Sequence, residues 1–172
     1  MADASPKIRV GDTVVYAAHG VGRVVALGQL SVGEKEQDGV VVDLAAGLRV
    51  TLSLDDAAGR LRPVADGAEL ESVSETLGAG SSHRDGSWTK RIKESKAKLA
   101  SGRPADLAEV VRDGARHEQS AVGARLSHGE RSVYLQAREL LVREICWARG
   151  VDAEEAEAWI AAQIASPGES ED

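Results

Sequence analysis

The spacing of apolar residues changes from a strand period to a helix period about halfway along the chain. Residues 8–64 contain five short runs rich in Val and Leu, separated by Gly and Asp at intervals of roughly ten residues. In one run Leu48, Val50 and Leu52 alternate with polar residues, which is the period of a half-buried strand. These runs predict a small antiparallel β-barrel for the first half of the chain.

The second half of the chain has the apolar spacing of α-helices. From Trp88 onward apolar residues recur every three or four positions. Pro104 favours the start of one helix, and Ser127-His128-Gly129-Glu130 has the form of a capping box at the start of another. Gly150 ends that long helix, and Asp152 begins a last one that runs to about Ala165. The sequence therefore predicts an α+β protein whose second part is all-helical.

A stretch rich in Gly and Ser, residues 78–87, separates the two halves. Such a composition is typical of a flexible connector. The preceding residues Leu70, Val73 and Leu77 are compatible with one short helix. We therefore expect four segments: a β domain over residues 1–65, a linker over 66–87, a helical domain over 88–166 and an acidic tail over 167–172.

The formal net charge of −7 is unevenly distributed along the chain. Residues 81–125 hold ten Lys and Arg against six Asp and Glu, a net charge of +4, whereas the segments before and after carry −5 and −6. Residues 88–103 contain six cations and only one anion, Glu94. We expect such a chain to bind a polyanion locally and weakly, because its distant acidic surface repels it.

Patterns typical of catalytic or metal sites are weak in this sequence. The four histidines lie far apart, and none has ligand spacing with another His, a Cys or a carboxylate. The lone Cys146 excludes an internal disulfide and lies beside the apolar stripe of a helix, where a free Cys usually serves as an inert packing residue. Gly20 and Gly22 lack the third glycine of a dinucleotide fingerprint. We expect a protein that is not an enzyme and needs neither a cofactor nor a metal.

Membrane and export signals are also weak. No apolar run approaches the ~20 residues of a membrane span. Residues 1–7 lack the apolar stretch of a signal peptide. We therefore expect a cytoplasmic protein with no membrane partner.

Trp88 stands at the start of the predicted basic helix, directly after the linker. At about 100° per residue, Ile92 and Leu99 point to one side of this helix, and Lys90 and Lys93 point nearly to the other. One interpretation is a solvated basic face over a packed helix, with Trp88 as the first core residue. The other is a nucleic-acid surface, in which the cations hold phosphates and the indole wedges against a base.

Two groups of motifs, in this order, resemble the CarD/CdnL family of bacterial transcription regulators. The first is VGDTVVY followed by HGVG, at residues 10–22. The second consists of WTKR, KLASG and AEVVRD, at residues 88–113, and the pattern around Leu126-Ser127 and Glu130-Arg131 extends it. The match covers about residues 8–149.

For the first domain, the resemblance implies a Tudor-like barrel, shared with the polymerase-binding module of transcription-repair coupling factor. In the family this barrel docks on the β subunit of RNA polymerase. The corresponding strands carry Leu30, Val32, Arg49 and Thr51 here, which we expect to bind the polymerase. The family's strand usually closes with a proline, for which this chain has Ser53.

For the helical domain, the resemblance implies contact with promoter DNA at the upstream edge of the −10 region. There the tryptophan matched by Trp88 wedges into the minor groove at the fork of the melted bubble. The expected DNA-binding cations are Lys90, Arg91, Lys93 and Lys96. The outcome implied is a more stable open promoter complex. We expect a monomer that associates with the nucleoid through the polymerase.

Two departures from the family pattern, Ser53 and Gly114, leave an alternative open. Gly114 stands where the family has a bulky apolar residue, and because Gly destabilises a helix interior, it predicts a helix that kinks or ends early. A divergent relative could also serve as a protein-interaction adaptor without DNA contact, in which Trp88 belongs to the core. Exposure of Trp88 distinguishes the two hypotheses.

Overall fold

The computed structural model describes residues 7–80, 87–120 and 125–166 of the chain. The chain divides into two compact units, Met1–Val64 and Ala65–Asp172. The first unit consists mainly of β-strands and the second of α-helices. The α+β class predicted from the change of period is confirmed.

Within residues 7–64 the N-terminal unit is an antiparallel sheet with one short helix. Its elements are β1 (Thr13–Tyr16), β2 (Gly20–Val32), β3 (Lys35–Leu44), β4 (Arg49–Ser53), α1 (Leu54–Arg60) and β5 (Leu61–Pro63). The strands lie in the order β4-β3-β2-β1-β5. This open, barrel-like sheet agrees with the predicted small antiparallel barrel.

One face of the sheet forms the core of this unit. Val24, Val40 and Val42 have no exposed surface, and Leu44 continues the same alternation along β3. The intervening residues of β3 therefore point to the outer face. A bulge between Val24 and Ala26 shifts the register of β2 against β3. This shift decides which side chains of β2 share the outer face.

Helix α1 follows β4 directly and covers the core face. Ser53 is its N-cap: the Ser53 hydroxyl accepts the backbone N–H of Asp56 at 3.1 Å. Ala57 is fully buried against the core valines of the sheet. Ser53 therefore ends the strand and starts the helix, a role that a hydroxyl supports.

Within residues 65–80, 87–120 and 125–166 the second unit contains only helices. They are α2 (Gly67–Gly78), α3 (Trp88–Ser101), α4 (Pro104–Gln119), α5 (His128–Arg149) and α6 (Ala153–Ala165). The core is built mainly from α4 and α5, where Leu107, Val111, Leu141 and Ile145 are at most 1% exposed. The predicted apolar stripes of both helices thus face each other.

The helices begin and end where their local signals predict. Pro104 occupies the first turn of α4. Ser127 and Asp152 both form complete capping boxes, at the starts of α5 and α6. Gly150 ends α5 at φ 65°, in the left-handed region that favours glycine.

The first part of the segment 66–87, assigned to the linker, contains the short helix with which Leu70, Val73 and Leu77 are compatible. Residues 67–78 form α2, and Val73 and Leu77 are fully buried in the helical core. Arg112 of α4 fixes the end of this helix by donating to the carbonyl of Thr76 at 3.1 Å. Residues 81–86 lie outside the described residues. The helical unit therefore begins at Ala65, well before the predicted start at residue 88.

The kink or early end predicted at Gly114 does not occur. Helix α4 continues through Gly114 to Gln119. A Cβ placed on Gly114 would lie 2.4 Å from Cδ2 of Tyr134, a buried side chain of α5. The missing side chain thus lets α4 and α5 approach closely, and this packing outweighs the low helix propensity of glycine.

Candidate functional site

Trp88 is the first residue of α3, and its indole is half exposed. Ser87 caps the helix, with its hydroxyl accepting the backbone N–H of Lys90. Trp88 is 49% exposed, and its indole Nε1–H donates to the hydroxyl of Ser127 at 3.0 Å. The polar edge of the ring is therefore satisfied while much of its surface faces solvent. This exposure disagrees with the core position that the adaptor hypothesis assigns to Trp88.

Ser127 belongs to the capping box at the start of α5. Its hydroxyl donates to Glu130 Oε2 at 2.8 Å and accepts the backbone N–H of Glu130 at 3.2 Å. The same carboxylate oxygen accepts the backbone N–H of Ser127 at 3.0 Å. The acceptor of the Trp88 indole is thus itself held in place by Glu130.

Glu130 also faces the first turn of α3. Its Oε1 lies 3.9 Å from Nε of Arg91. Burial alone would raise the pKa of Glu130, but the hydrogen bonds from Ser127 and the charges of Arg91 and His117 outweigh it and hold the pKa below its ordinary value. Glu130 therefore stays ionised at neutral pH and attracts Arg91 of α3 from the first turn of α5.

The predicted DNA-binding cations differ in their exposure. Lys90 is 65% exposed and lies 4.0 Å from Glu94 on the next turn. Lys93 and Lys96 are exposed, whereas Arg91 is half-buried against Glu130. The structure therefore places Trp88, Lys90 and Arg91 in one helical turn, with Lys93 and Lys96 following along the same helix.

The four predicted polymerase-binding residues share the outer face of the sheet. Thr51 and Ala26 both lie opposite Val41, so these three side chains point the same way. Leu30 and Val32 follow Ala26 at even spacing without a further register shift, and Arg49 lies two residues before Thr51. All of them therefore point away from the buried valines.

These four residues form two pairs. By register, Arg49 and Thr51 lie toward Asp43 near the end of β3, and Leu30 and Val32 lie toward Lys35 at its start. Leu30 and Val32 are half-buried and lie across Gly39, whereas Arg49 and Thr51 are exposed on β4.

Arg49 is held by its partner across the strands, Asp43. The Arg49 guanidinium donates to both carboxylate oxygens, with an Nη2–Oδ2 distance of 2.7 Å. This hydrogen-bonded pair keeps the pKa of the Asp43 carboxyl below its usual value. The pair is exposed, so it orients the guanidinium on the outer face more than it stabilises the fold.

Strand β4 also forms one border of the sheet. Within the described part of the N-terminal unit it pairs only with β3. The outward backbone groups of such a border strand can pair with a strand of another protein. Arg49 and Thr51 therefore flank both a side-chain surface and a backbone edge.

Cys146, the one cysteine of the chain, lies half-buried on α5. Burial raises the pKa of the Cys146 thiol, which makes this half-buried group a poor nucleophile. In residues 7–80, 87–120 and 125–166, no group of three or more His, Cys, Asp or Glu could hold a metal ion. Over the same residues no helix is long and apolar enough to cross a membrane.

Sequence reasoning missed the roles of Ser127 and Glu130 at this site. The capping box was visible in the sequence, but its contact with Trp88 joins residues 39 positions apart. A local pattern cannot reveal such a contact. The exposed indole in turn was predictable only as one of two interpretations.

Comparison with known proteins agrees with the motifs. A family model of the CarD C-terminal domain matches residues 72–161, and a model of the CarD-like/TRCF RID domain matches residues 8–65. The chain is 27% identical over 146 residues to the "Putative transcription factor YdeB" of Bacillus subtilis (strain 168). That alignment covers 83% of this chain and 93% of YdeB.

Proposed function

Because the chain belongs to the CarD family and is a transcription regulator of that class, we propose that it acts on RNA polymerase at promoter opening. Its N-terminal unit docks on the β subunit of the polymerase. Its helical unit then stabilises the open complex, with Trp88 wedged at the upstream fork of the −10 bubble. It acts as a binding protein and performs no chemistry of its own.

The half-exposed indole of Trp88 at the tip of a basic helix is the observation that carries this proposal. The indole is a large flat ring, and it lies in the same helical turn as two cations, Lys90 and Arg91. Here the N–H edge already has a partner in Ser127, so the part of the ring in solvent is mainly apolar. Such a surface favours stacking on a base or wedging between base steps.

The cations of α3 supply the matching contact to phosphates. Lys90, Lys93 and Lys96 are exposed and lie within about two turns of Trp88. Contacts of this kind position a protein on DNA without reading its sequence. The site therefore fits a fork of any sequence, provided that the strands have already parted.

Tethering to the polymerase compensates for the overall acidity of the chain. A net charge of −7 opposes binding to DNA from free solution. Docking on the polymerase makes the DNA contact effectively intramolecular, at a local concentration on the order of millimolar. A weak basic patch then suffices.

Selectivity for the open complex follows from the cost of unstacking. Inserting a ring into an intact duplex costs on the order of a few kcal/mol per step. At a melted fork the polymerase has already separated the bases, so the wedge binds better there. This difference in affinity shifts the equilibrium toward the open state, tenfold for about 1.4 kcal/mol.

Docking is supported by the outer face of the sheet and by the border strand β4. Arg49 and Thr51 offer a fixed guanidinium and an exposed hydroxyl beside the open edge. Leu30 and Val32 add a half-buried apolar pair nearer the β2–β3 turn. A partner protein that offers an edge strand and an acidic side chain would fit the surface at Arg49 and Thr51.

The lifetime of the promoter open complex tests this proposal. We expect the protein to lengthen it, and Trp88→Ala to remove most of the gain, about 1 kcal/mol or more, because base–aromatic stacking contributes about 1–3 kcal/mol. Trp147→Ala is the matched control, since Trp147 is also half exposed but lies on α5. Equal lifetimes with wild type and Trp88→Ala would refute the wedge.

A pull-down with an isolated lobe of the β subunit of RNA polymerase tests docking separately from DNA contact. Leu30→Ser, Val32→Ser and Arg49→Ala together should weaken capture of the lobe. Arg60→Ala is a charge-matched control, because Arg60 lies on α1, which covers the opposite face of the sheet. Unchanged capture by the triple variant would remove the outer face from the proposal.

A further inference from the structure

A hydrogen bond fixes the orientation of the Trp88 ring before any DNA is present. It joins the indole Nε1–H of Trp88, in the first turn of α3, to the hydroxyl of Ser127, which caps α5. An exposed tryptophan without such a bond samples several rotamers, and binding would have to restrict them. The bond therefore lowers the conformational cost of inserting the ring.

All hydrogen-bonding positions of the Ser127 hydroxyl are occupied, so the hydroxyl is held in one orientation. It donates to Glu130 Oε2 at 2.8 Å and accepts both the backbone N–H of Glu130 and the indole N–H of Trp88. A hydroxyl offers one donor and two acceptor positions, so all are in use. Glu130 thereby determines the direction of the lone pair that receives the indole.

The serine in this box distinguishes it from two others in the chain. Among the described helices, α2 and α6 also begin with complete capping boxes, but Asp66 and Asp152 occupy their N-cap positions. A carboxylate caps a helix as well as a hydroxyl does. Only the hydroxyl, however, can donate to the glutamate of the box while it accepts from the indole.

We propose that the Ser127–Glu130 capping box positions the Trp88 wedge, and that Ser127 and Glu130 are positioning residues for the open complex. This inference rests on the proposed function. Glu130 extends the effect to the cations, because its other oxygen lies 3.9 Å from Arg91. The Glu130 carboxylate thus orients the Trp88 ring through Ser127 and also contacts Arg91, one of the cations expected to bind the DNA backbone.

Ser127→Gly is the variant that separates positioning from helix capping. Glycine is itself an acceptable N-cap residue, so the helix is retained, but the acceptor of the indole is lost. Asp152→Gly is the matched control, since it removes an equivalent capping side chain from α6. Ser127→Thr keeps the hydroxyl and serves as the rescue.

The first readout is the rate at which the indole N–H of Trp88 exchanges its hydrogen with water, measured by NMR. The signal of this proton is identified by its loss in Trp88→Phe. We expect Ser127→Gly to accelerate exchange about two- to tenfold, the range expected for loss of one hydrogen bond. Asp152→Gly and Ser127→Thr should leave it near the wild-type value. Unchanged exchange in Ser127→Gly would overturn the proposal, because the bond would then not hold the ring in solution.

The second readout is the open-complex lifetime with the full chain and polymerase, with Trp88→Ala measured alongside. Ser127→Gly should reduce the gain in lifetime about two- to tenfold at unchanged polymerase affinity, and Ser127→Thr should restore it. If Trp88→Ala shortens the lifetime but Ser127→Gly does not, the positioning role is wrong and the proposed function stands. An equal loss in Asp152→Gly would assign the effect to general stability and overturn the positioning role. No effect of Trp88→Ala refutes the proposed function itself.

Discussion

Replacing Gly114 with alanine tests how closely helices α4 and α5 pack. Helix propensity alone predicts that Gly114→Ala stabilises the protein by about 1 kcal/mol. The structure predicts the opposite sign. A Cβ at this position would lie 2.4 Å, 2.7 Å and 3.0 Å from three ring atoms of Tyr134.

The magnitude follows from the position of the ring. Ordinary carbon–carbon contacts are about 3.5–4.0 Å, so the ring would have to move by about 1 Å. Tyr134 is only 3% exposed, and its hydroxyl accepts a hydrogen bond from Arg138 at 2.8 Å. Overpacking of this kind costs about 1–3 kcal/mol. After the gain in propensity, we expect Gly114→Ala to lower the free energy of unfolding by up to about 2 kcal/mol.

Urea unfolding followed by tryptophan fluorescence measures this effect. The three tryptophans of the chain all lie in the helical unit, so their signal reports on that unit. Gly67→Ala is the control, because α2 has open space around this glycine and the substitution should be neutral or stabilising by up to about 1 kcal/mol. Combining Gly114→Ala with Tyr134→Leu should cost less than the sum of the single changes. If Gly114→Ala stabilises as much as Gly67→Ala, the close approach is refuted.

Three further predictions concern charged side chains of the helical unit. Glu144→Ala should lower the free energy of unfolding by about 2–3 kcal/mol in the same urea titration, because the buried carboxylate accepts the backbone N–H of Ala65 at 2.9 Å. Glu144→Gln keeps an acceptor and should lose less; an equal loss would contradict this role. Arg112→Met should cost about 3 kcal/mol, since this buried cation holds the end of α2 through Thr76, and a loss under about 1 kcal/mol would contradict it. The lowered pKa of Glu130 adds stability that is present above its unfolded-state pKa and lost as the pH falls below about 4.3. Unfolding titrations should therefore show a flatter acid limb in Glu130→Gln, and an identical limb would contradict the assignment.

The parts of the fold that the sequence predicts are those with signals inside a few residues. Pro104, Ser127 and Asp152 each act on the first turn of their own helix, so their effects are visible without a structure. The strands of the N-terminal unit were likewise predictable from alternation and turns. Neither the starts of these helices nor the positions of these strands depend on contacts between residues distant in sequence.

The missed features all depend on residues distant in sequence. The apolar residues Val73 and Leu77 were visible, but their burial requires α4, whose Arg112 also anchors α2. The straight course of α4 through Gly114 depends on the ring of Tyr134 in the next helix. In each case a tertiary contact overrides a local preference.

The same limit applies to the candidate site. The basic character of α3 and the place of Trp88 at its tip follow from the sequence. The exposure of the ring and its bond to Ser127 do not, because they depend on where α5 begins in space. The outer-face residues were predictable as a set, but their division into two pairs required the register of β3.

Photocrosslinking from position 88 tests the central claim most directly. A benzophenone amino acid replaces Trp88 in the full chain, and a second protein carries it at Trp147, which is exposed to a similar degree. In open complexes, position 88 should crosslink to DNA at the upstream edge of the −10 bubble, and position 147 should not. Crosslinks from position 88 that reach only protein, or DNA away from the fork, would contradict the account.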